Sequence, residues 1–396
     1  MLSRRLTAND SGRVHCRDIH VAAAVGLLAA ALFTPPVWAS WTVINLHPSG
    51  MPGSSAYGVS GGAQVGDTGE YNWMLRWRAA LWSGSAGSWV DLHPSGSEWV
   101  RSRATAVSGG VQVGYVEDHN YVAQAALWRG SADSMRVLYN GRSFALGIAD
   151  NLVAGYVVEN NSGHGRAILW NLAGWDPDSP WGPPYTIWLH PLYSNHYASY
   201  ALAIGDGEVV GYVGGYDFDM GWHYTHAVLW NAELPYDGLV DLHPTGYQYS
   251  YAYGVGGGQQ VGYVAGPSTF NYPQAALWSG SAGSFVNLHP SDYRESYAWD
   301  VWSGQQVGYV VTHLHGKRAA LWSGSASSFV SLHDFLGPEF TQSEARSITH
   351  ENGFTYVVGS GYNSHTGRWE ALMWVIPEPA SLLGLGLALA LFPRRR

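Results

Sequence analysis

Tryptophans that close an Ala-Ala-Leu-Trp phrase or one of its variants recur at Trp82, Trp128, Trp170, Trp230, Trp278, Trp322 and Trp374. The gaps between them are 46, 42, 60, 48, 44 and 52 residues. A period of this size marks a supersecondary unit that cannot bury its apolar face alone and must stack on its neighbours. Two other landmarks keep step. A Val-Gly glycine recurs at Gly66, Gly114, Gly155, Gly211, Gly262, Gly308 and Gly359, and a leucine at Leu46, Leu92, Leu138, Leu189, Leu242, Leu288 and Leu332. Seven copies of one phrase therefore fill the chain from Trp41 to Ile376.

The sixth unit shows what each copy contains. Phe285–His289, Ala298–Trp302, Gln306–Val311 and Arg318–Trp322 are short apolar or β-branched runs separated by turn residues, which is the pattern of strands. No window sustains a 3.6-residue period over three turns, so helices are not expected between the two ends. Four short antiparallel strands per unit, seven times over, predict an all-β fold, a seven-bladed β-propeller. The first fragment, Thr42–His47, matches the Val-x-Leu-His strand but has no Leu-Trp strand before it. The last unit, Ala371–Ile376, lacks a Val-x-Leu-His strand after it. The two halves complement each other, so the N-terminal strand is expected to join the last blade and close the ring.

The strand order expected within a blade runs from Ala298 innermost through Gln306 and Ala320 to the next Val-x-Leu-His outermost. Both faces of the third strand are apolar, as stacking on two sides requires. A buried Trp removes up to about 250 Å² from water, roughly 6 kcal/mol gross. The Val-Gly glycine is expected to leave room for such a ring.

The two ends read differently from the repeats. Arg13 and Arg17 precede an apolar run from Val21 to Phe33, Pro35 and Pro36 break it, and Val37-Trp38-Ala39 offers small-residue cleavage chemistry. Residues 1–39 are expected to be a secretory signal peptide, residues 40–376 the propeller, and residues 377–396 a sorting tail. The single cysteine, Cys16, falls in the removed segment, which leaves neither disulfides nor thiol chemistry. Acidic side chains outnumber basic ones 29 to 20, and the only lysine is Lys317. A nucleic-acid partner is not expected, because phosphate neutralisation needs clustered Lys and Arg.

At the C-terminus, Val375-Ile376-Pro377-Glu378-Pro379 is followed by the apolar run Ala380–Phe392 and then Arg394-Arg395-Arg396. This resembles the PEP-CTERM sorting signal of Gram-negative bacteria. The resemblance implies a transient inner-membrane stage through a short transmembrane helix, recognition at Pro377, Glu378 and Pro379 by an exosortase-type enzyme, and export to the cell surface or extracellular matrix. The repeat unit in turn resembles the HAF-type extracellular repeat, with Thr225-His226-Ala227-Val228-Leu229-Trp230 nearest its signature. That resemblance implies an exported propeller and brings no catalytic residues.

Several groups invite a chemical reading. A histidine follows the Leu at His47, His93, His190, His243, His289 and His333, with Tyr139 in its place once. On outer strands of a wide ring adjacent copies stand on the order of 17 Å apart, too far to share a metal whose ligands lie about 2 Å from the ion. They read as structural. Asp217, Asp219, His223 and His226 lie within ten residues but lack the spacing of a calcium loop. No metal and no cofactor is expected. Ser83–Trp89, repeated at Ser279 and Ser323, reads as a tight turn.

The faces differ. Turns after the first and third strands are mostly short and Gly/Ser-rich, while loops on the other face are long and aromatic. The binding residues expected there are Trp73, Trp99, Tyr216, Trp222, Tyr247, Tyr272 and Tyr293. Flat rings beside carboxylates suit sugars, so the reading is a non-catalytic binding protein for glycans or extracellular polysaccharide. The alternatives are a polysaccharide-acting propeller hydrolase or lyase, or a purely structural matrix protein. An enzyme of that kind needs converging carboxylates near the centre, and the innermost strands offer little beyond Asp300.

Overall fold

The computed structural model describes residues 40–378, apart from 71–75, 160–161, 177–181, 190–195, 218–221 and 234–237. The described residues form 28 strands and six short 3-10 turns, with four strands to each repeat. In the sixth repeat these are Glu295–Trp302, Gln305–Val311, Lys317–Trp322 and Val330–Ser331. They pair antiparallel in sequence order, with Ala298 opposite Gly308, Gly308 opposite Ala320 and Ala320 opposite Ser331.

The expectation of seven separate four-stranded blades closed into a ring is corrected. Hydrogen bonding among the described residues gives six sheets, five of four strands and one of eight, and none closes on itself. The eight-stranded sheet arises where the long third strand of repeat 4, Trp222–Asn231, carries Thr225 beside Tyr249 on the first strand of repeat 5. The two pair in parallel at that one point. The N-terminal strand, Thr42–Asn45, pairs antiparallel with Arg368–Pro377, from Thr42 opposite Val375 to Asn45 opposite Leu372. That last strand runs one residue past the expected boundary at 376.

One irregularity is common to every repeat. The first strand carries a β-bulge against the second, and the extra residue is Tyr57, Thr105, Leu146, Leu202, Tyr253, Trp299 or Arg346. A bulge bends its strand and turns a side chain out of the ladder. Opposite it sits the Val-Gly glycine, and the reason for that glycine differs from the one expected. A Cβ on any of the seven would meet a first-strand carbonyl oxygen at 1.8–2.0 Å. Backbone approach excludes the side chain. Only at Gly155 does a tryptophan, Trp170, also come within 3.0 Å.

The seven repeat tryptophans are fully buried, each packed among the aliphatic residues of two adjoining repeats. The repeat histidines are held by serines on the following first strand. Nδ1 lies 2.8 Å from Ser Oγ in His47–Ser54, His93–Ser102, His243–Ser250 and His289–Ser296, and 2.7 Å in His333–Ser343. Each serine also accepts the backbone N–H of an alanine within the preceding third strand, three residues before its tryptophan, as Ser296 accepts Ala275 at 2.8 Å. Where Tyr139 replaces the histidine, Ser143 donates to the Gly141 carbonyl instead. His190 lies outside the described residues. The serine thus clasps one repeat to the next, and the outer-strand histidine fixes its hydroxyl.

A central cavity ringed by bulged residues

The first strands of all seven repeats line one cavity of 430 Å³. Its size falls in the range of ligand pockets, roughly 300–1,000 Å³. The seven bulged residues are all among its lining residues, and their chemistry divides its wall. Thr105, Leu146 and Leu202 give repeats 2 to 4 a mostly aliphatic side. Tyr253, Trp299, Arg346 and Tyr57 give repeats 5, 6, 7 and 1 an aromatic and cationic side. Thr105 is tied back by its hydroxyl, which bonds the Ala145 carbonyl at 2.8 Å. Tyr253 and Trp299 meet edge to face at 4.4 Å, and the Arg346 guanidinium lies 4.6 Å from the Trp299 ring.

A belt of cross-strand pairs adjoins these residues. Arg103–Tyr115, Phe144–Tyr156, Tyr200–Tyr212, Tyr251–Tyr263 and Tyr297–Tyr309 stand opposite one another on first and second strands of repeats 2 to 6. From Tyr115 to Tyr309 nine rings touch in series, with centroids 4.6–5.2 Å apart. Burial pushes their phenols upward, as at Tyr156, Tyr212 and Tyr309. It lifts Tyr253 in the cavity wall to about 12. None of these four ionises near neutral pH.

In repeats 7 and 1 the same belt positions are Glu344–Ser360 and Ser55–Asp67, and there charge replaces aromatics. Arg103 donates to Asp67 at 2.7 Å and lies over Tyr57. Glu344 accepts Arg346 through Nε and Nη2 on one oxygen and Lys317 at 2.9 Å on the other. Burial works against the Glu344 charge, but Arg346 and Lys317 prevail and hold its carboxyl below the usual range.

Four carboxylates also line the cavity. Asp206 accepts the Gly257 N–H, and Glu351 accepts those of Gly61 and Gly62. Asp300 takes Val301 N–H on one oxygen and Ser347 Oγ and Ile348 N–H on the other, and burial still pushes it up to about 6. Asp150 stands exposed in its turn. The first three are spent on joining repeats.

The expected site residues are not brought together. Trp99, Tyr247 and Tyr293 are partly buried against three different apolar clusters, and Tyr247 and Tyr293 pack on Phe285 and Phe329 of their own repeats' outer turns. Tyr272 is 42% exposed beneath Arg294. Tyr216 contacts His223 at 5.1 Å, and Trp222 opposes Asp217 in the ladder. Trp73 lies outside the described residues, as do Asp219, Pro379 and Arg394–Arg396. His226 is engaged by Asp241 at 2.9 Å and stacks on His243. Among the described residues no three His, Cys, Asp or Glu side chains gather as metal ligands. The sequence did carry a signal for the cavity. The residue after each first-strand alanine varies from repeat to repeat, while the alanine itself recurs.

The fold and the cavity together define a β-propeller. No protein-family model matches the chain, and no curated protein matches it. Among solved structures it is similar to the β-propeller domain of the Trilobed protease from Pyrococcus furiosus, described as having an open velcro topology. The TM-score there is 0.51 at 9% identity, over 82% of this chain and 94% of that one. It is also similar to the acylaminoacyl peptidase of Pyrococcus horikoshii, with TM-score 0.50 and 11% identity over 84% of this chain and 53% of that one. A puromycin hydrolase S511A mutant gives 0.48 at 12% identity, over 80% and 53%. The chain spans about half the length of the peptidases it matches. The likeness carries the fold as far as an all-β propeller, and not to a count of blades. It also corrects the functional expectation. The two neighbours named here at a TM-score of 0.50 or more are a protease's propeller domain and a peptidase, not the glycan-binding, polysaccharide-acting or purely structural proteins expected from the loops.

The clasps set a serine hydroxyl beside a histidine ring five times. Ser54, Ser102, Ser250, Ser296 and Ser343 are fully buried, and each hydroxyl is already held by a backbone N–H and an imidazole. A nucleophile must reach a substrate carbonyl. These five pairs cannot, and fivefold repetition fits a clasp.

Proposed function

We propose that this propeller admits peptide into its central cavity as part of a peptidase-like enzyme. The observation that supports the reading is the divided wall. An extended peptide has side chains alternating to two sides, and the cavity offers it aliphatic residues on one side and Tyr253, Trp299 and Tyr57 on the other. Such walls gain contact area at little entropy cost, because bulged residues on paired strands are already fixed. The peptidases that share the architecture lend the class of ligand. No exposed serine–histidine pair is found among the described residues, so bond cleavage is not assigned to any of them. Titration with peptides of two to five residues, read by tryptophan fluorescence and calorimetry, should give saturable binding that Trp299→Ala weakens. Absence of saturable binding for every such peptide would sink the reading.

We also propose that the chain is exported and that an exosortase-type enzyme recognises its tail. The order of motif, apolar run and arginines supports this, as does the signal-like N-terminus. Among the described residues no helix is long and apolar enough to cross a membrane; the apolar tail lies outside them. Pro377 pairs with Phe354, the Glu378 N–H donates to Gly353, and His350 lies 3.0 Å from the Glu378 carboxylate. An enzyme that takes the motif must first lift it from the sheet. Mass spectrometry of the mature ends should find residues 1–39 removed and the tail cut near Pro379; an intact tail would exclude the sorting step.

A further inference from the structure

The cavity holds one permanently cationic side chain, Arg346, where the other six repeats place Tyr, Trp, Thr or Leu at the bulge. Its charge is not cancelled. Glu344 is one carboxylate shared between Arg346 and Lys317, and it stays ionised, so the three groups together carry one net positive charge. Arg346 spends Nε and one Nη2 hydrogen on Glu344, which leaves both Nη1 hydrogens and the second Nη2 hydrogen uncommitted in a side chain that is 24% exposed. The indole of Trp299 backs the guanidinium and keeps it from folding away. A planar fork with spare donors in a partly dry wall is suited to a carboxylate. A carboxylate's single charge matches the one net positive charge of Arg346, Lys317 and Glu344, which a phosphate dianion would exceed.

We propose that Arg346 anchors a carboxylate of the bound peptide and so sets how far the peptide enters. The inference rests on the peptide reading above. It excludes a purely structural Arg346, whose loss would change stability without changing the choice among ligands. The terminal carboxylate and an acidic side chain share this chemistry, and the experiment separates them.

The test measures binding of three forms of one tripeptide that binds the native protein: the free acid, the C-terminal amide, and the amide with an internal Asp. The free acid, or the Asp-containing amide, should bind about tenfold or more tightly than the plain amide. Whichever form gains identifies the source. In Arg346→Gln that preference should vanish, and Arg346→Lys should keep only part of it, lacking the fork. Equal binding of all three forms by the native protein overturns the anchor and leaves peptide admission standing. A preference that survives Arg346→Gln in a folded variant also overturns it. Failure of every peptide of two to five residues to bind the native protein overturns the peptide reading and the anchor with it.

Discussion

At the residue scale, the recurring glycines and tryptophans do different work. Gly262 faces the Tyr251 carbonyl so closely that a Cβ would sit 1.8 Å from the oxygen. Gly262→Ala should therefore cost about 3 kcal/mol or more in urea unfolding. Gly283→Ala, where nothing lies within 4 Å, should stay within about 0.5 kcal/mol. Equal costs would remove the close-approach argument. Trp278→Ala opens a cavity between repeats and should cost about 3–5 kcal/mol; an unchanged melting curve would refute its packing role. The sequence showed both residues as scaffold but misassigned the glycine, since periodicity says that a position is constrained and not by what. The bulge that constrains it involves the register of two strands, which no single window displays.

At the element scale, recurring small phrases turn out to be hydrogen-bonding devices. The Gln before Val-Gly reaches the turn after the third strand: Gln260 accepts Gly280 N–H, as Gln64, Gln112 and Gln306 accept Gly84, Gly130 and Gly324. The clasp serine is the element with most at stake. Ser296→Ala strands the buried Ala275 N–H and frees His289, which should cost about 1–3 kcal/mol. Ser284→Ala, in the exposed turn, removes the acceptor of Ser279 N–H where water can replace it and should cost less. The reverse order would show that the clasp is dispensable. The strands were legible because alternation and turn residues are local. The pairing of Thr225 with Tyr249 was not, because it depends on how far one repeat's longer strand reaches.

At the scale of the whole molecule, the clasps give stability a common pH dependence. Burial first of all holds His47, His93, His243, His289 and His333 below 6.5, with His243 and His333 at about 4. Below 6.5 the unfolded chain binds more protons than the folded one, so stability present above that pH is lost as pH falls towards 4. Asp300 opposes this: its carboxyl is raised from 3.8 to about 6, so its contribution is present in acid and lost as pH rises through 6. One group stands against five, and Glu344 and Glu370, both held low, add to the acid loss. The melting temperature should rise from about pH 4 to about pH 7; a flat or falling profile would contradict the clasp. The all-β propeller class was readable from the period, but the closed ring of seven four-stranded blades was not what the sheets show. The cavity was not, because attention to ring-rich loops favours residues that pack on their own turns, and the cavity's residues are single positions scattered through seven repeats.

The pairing of Thr42–Asn45 with the final strand also has a history in time. Asn45 and its partner Glu370 stand 325 positions apart. At synthesis rates of about 5–20 residues per second, the first strand waits roughly 15–65 s for its neighbour. Throughout that interval it is an unpaired edge with Val43 and Ile44 on offer to any other chain. The last bond to form is thus the one that retires the earliest hazard, and crowding of nascent chains should penalise this protein more than its finished stability suggests.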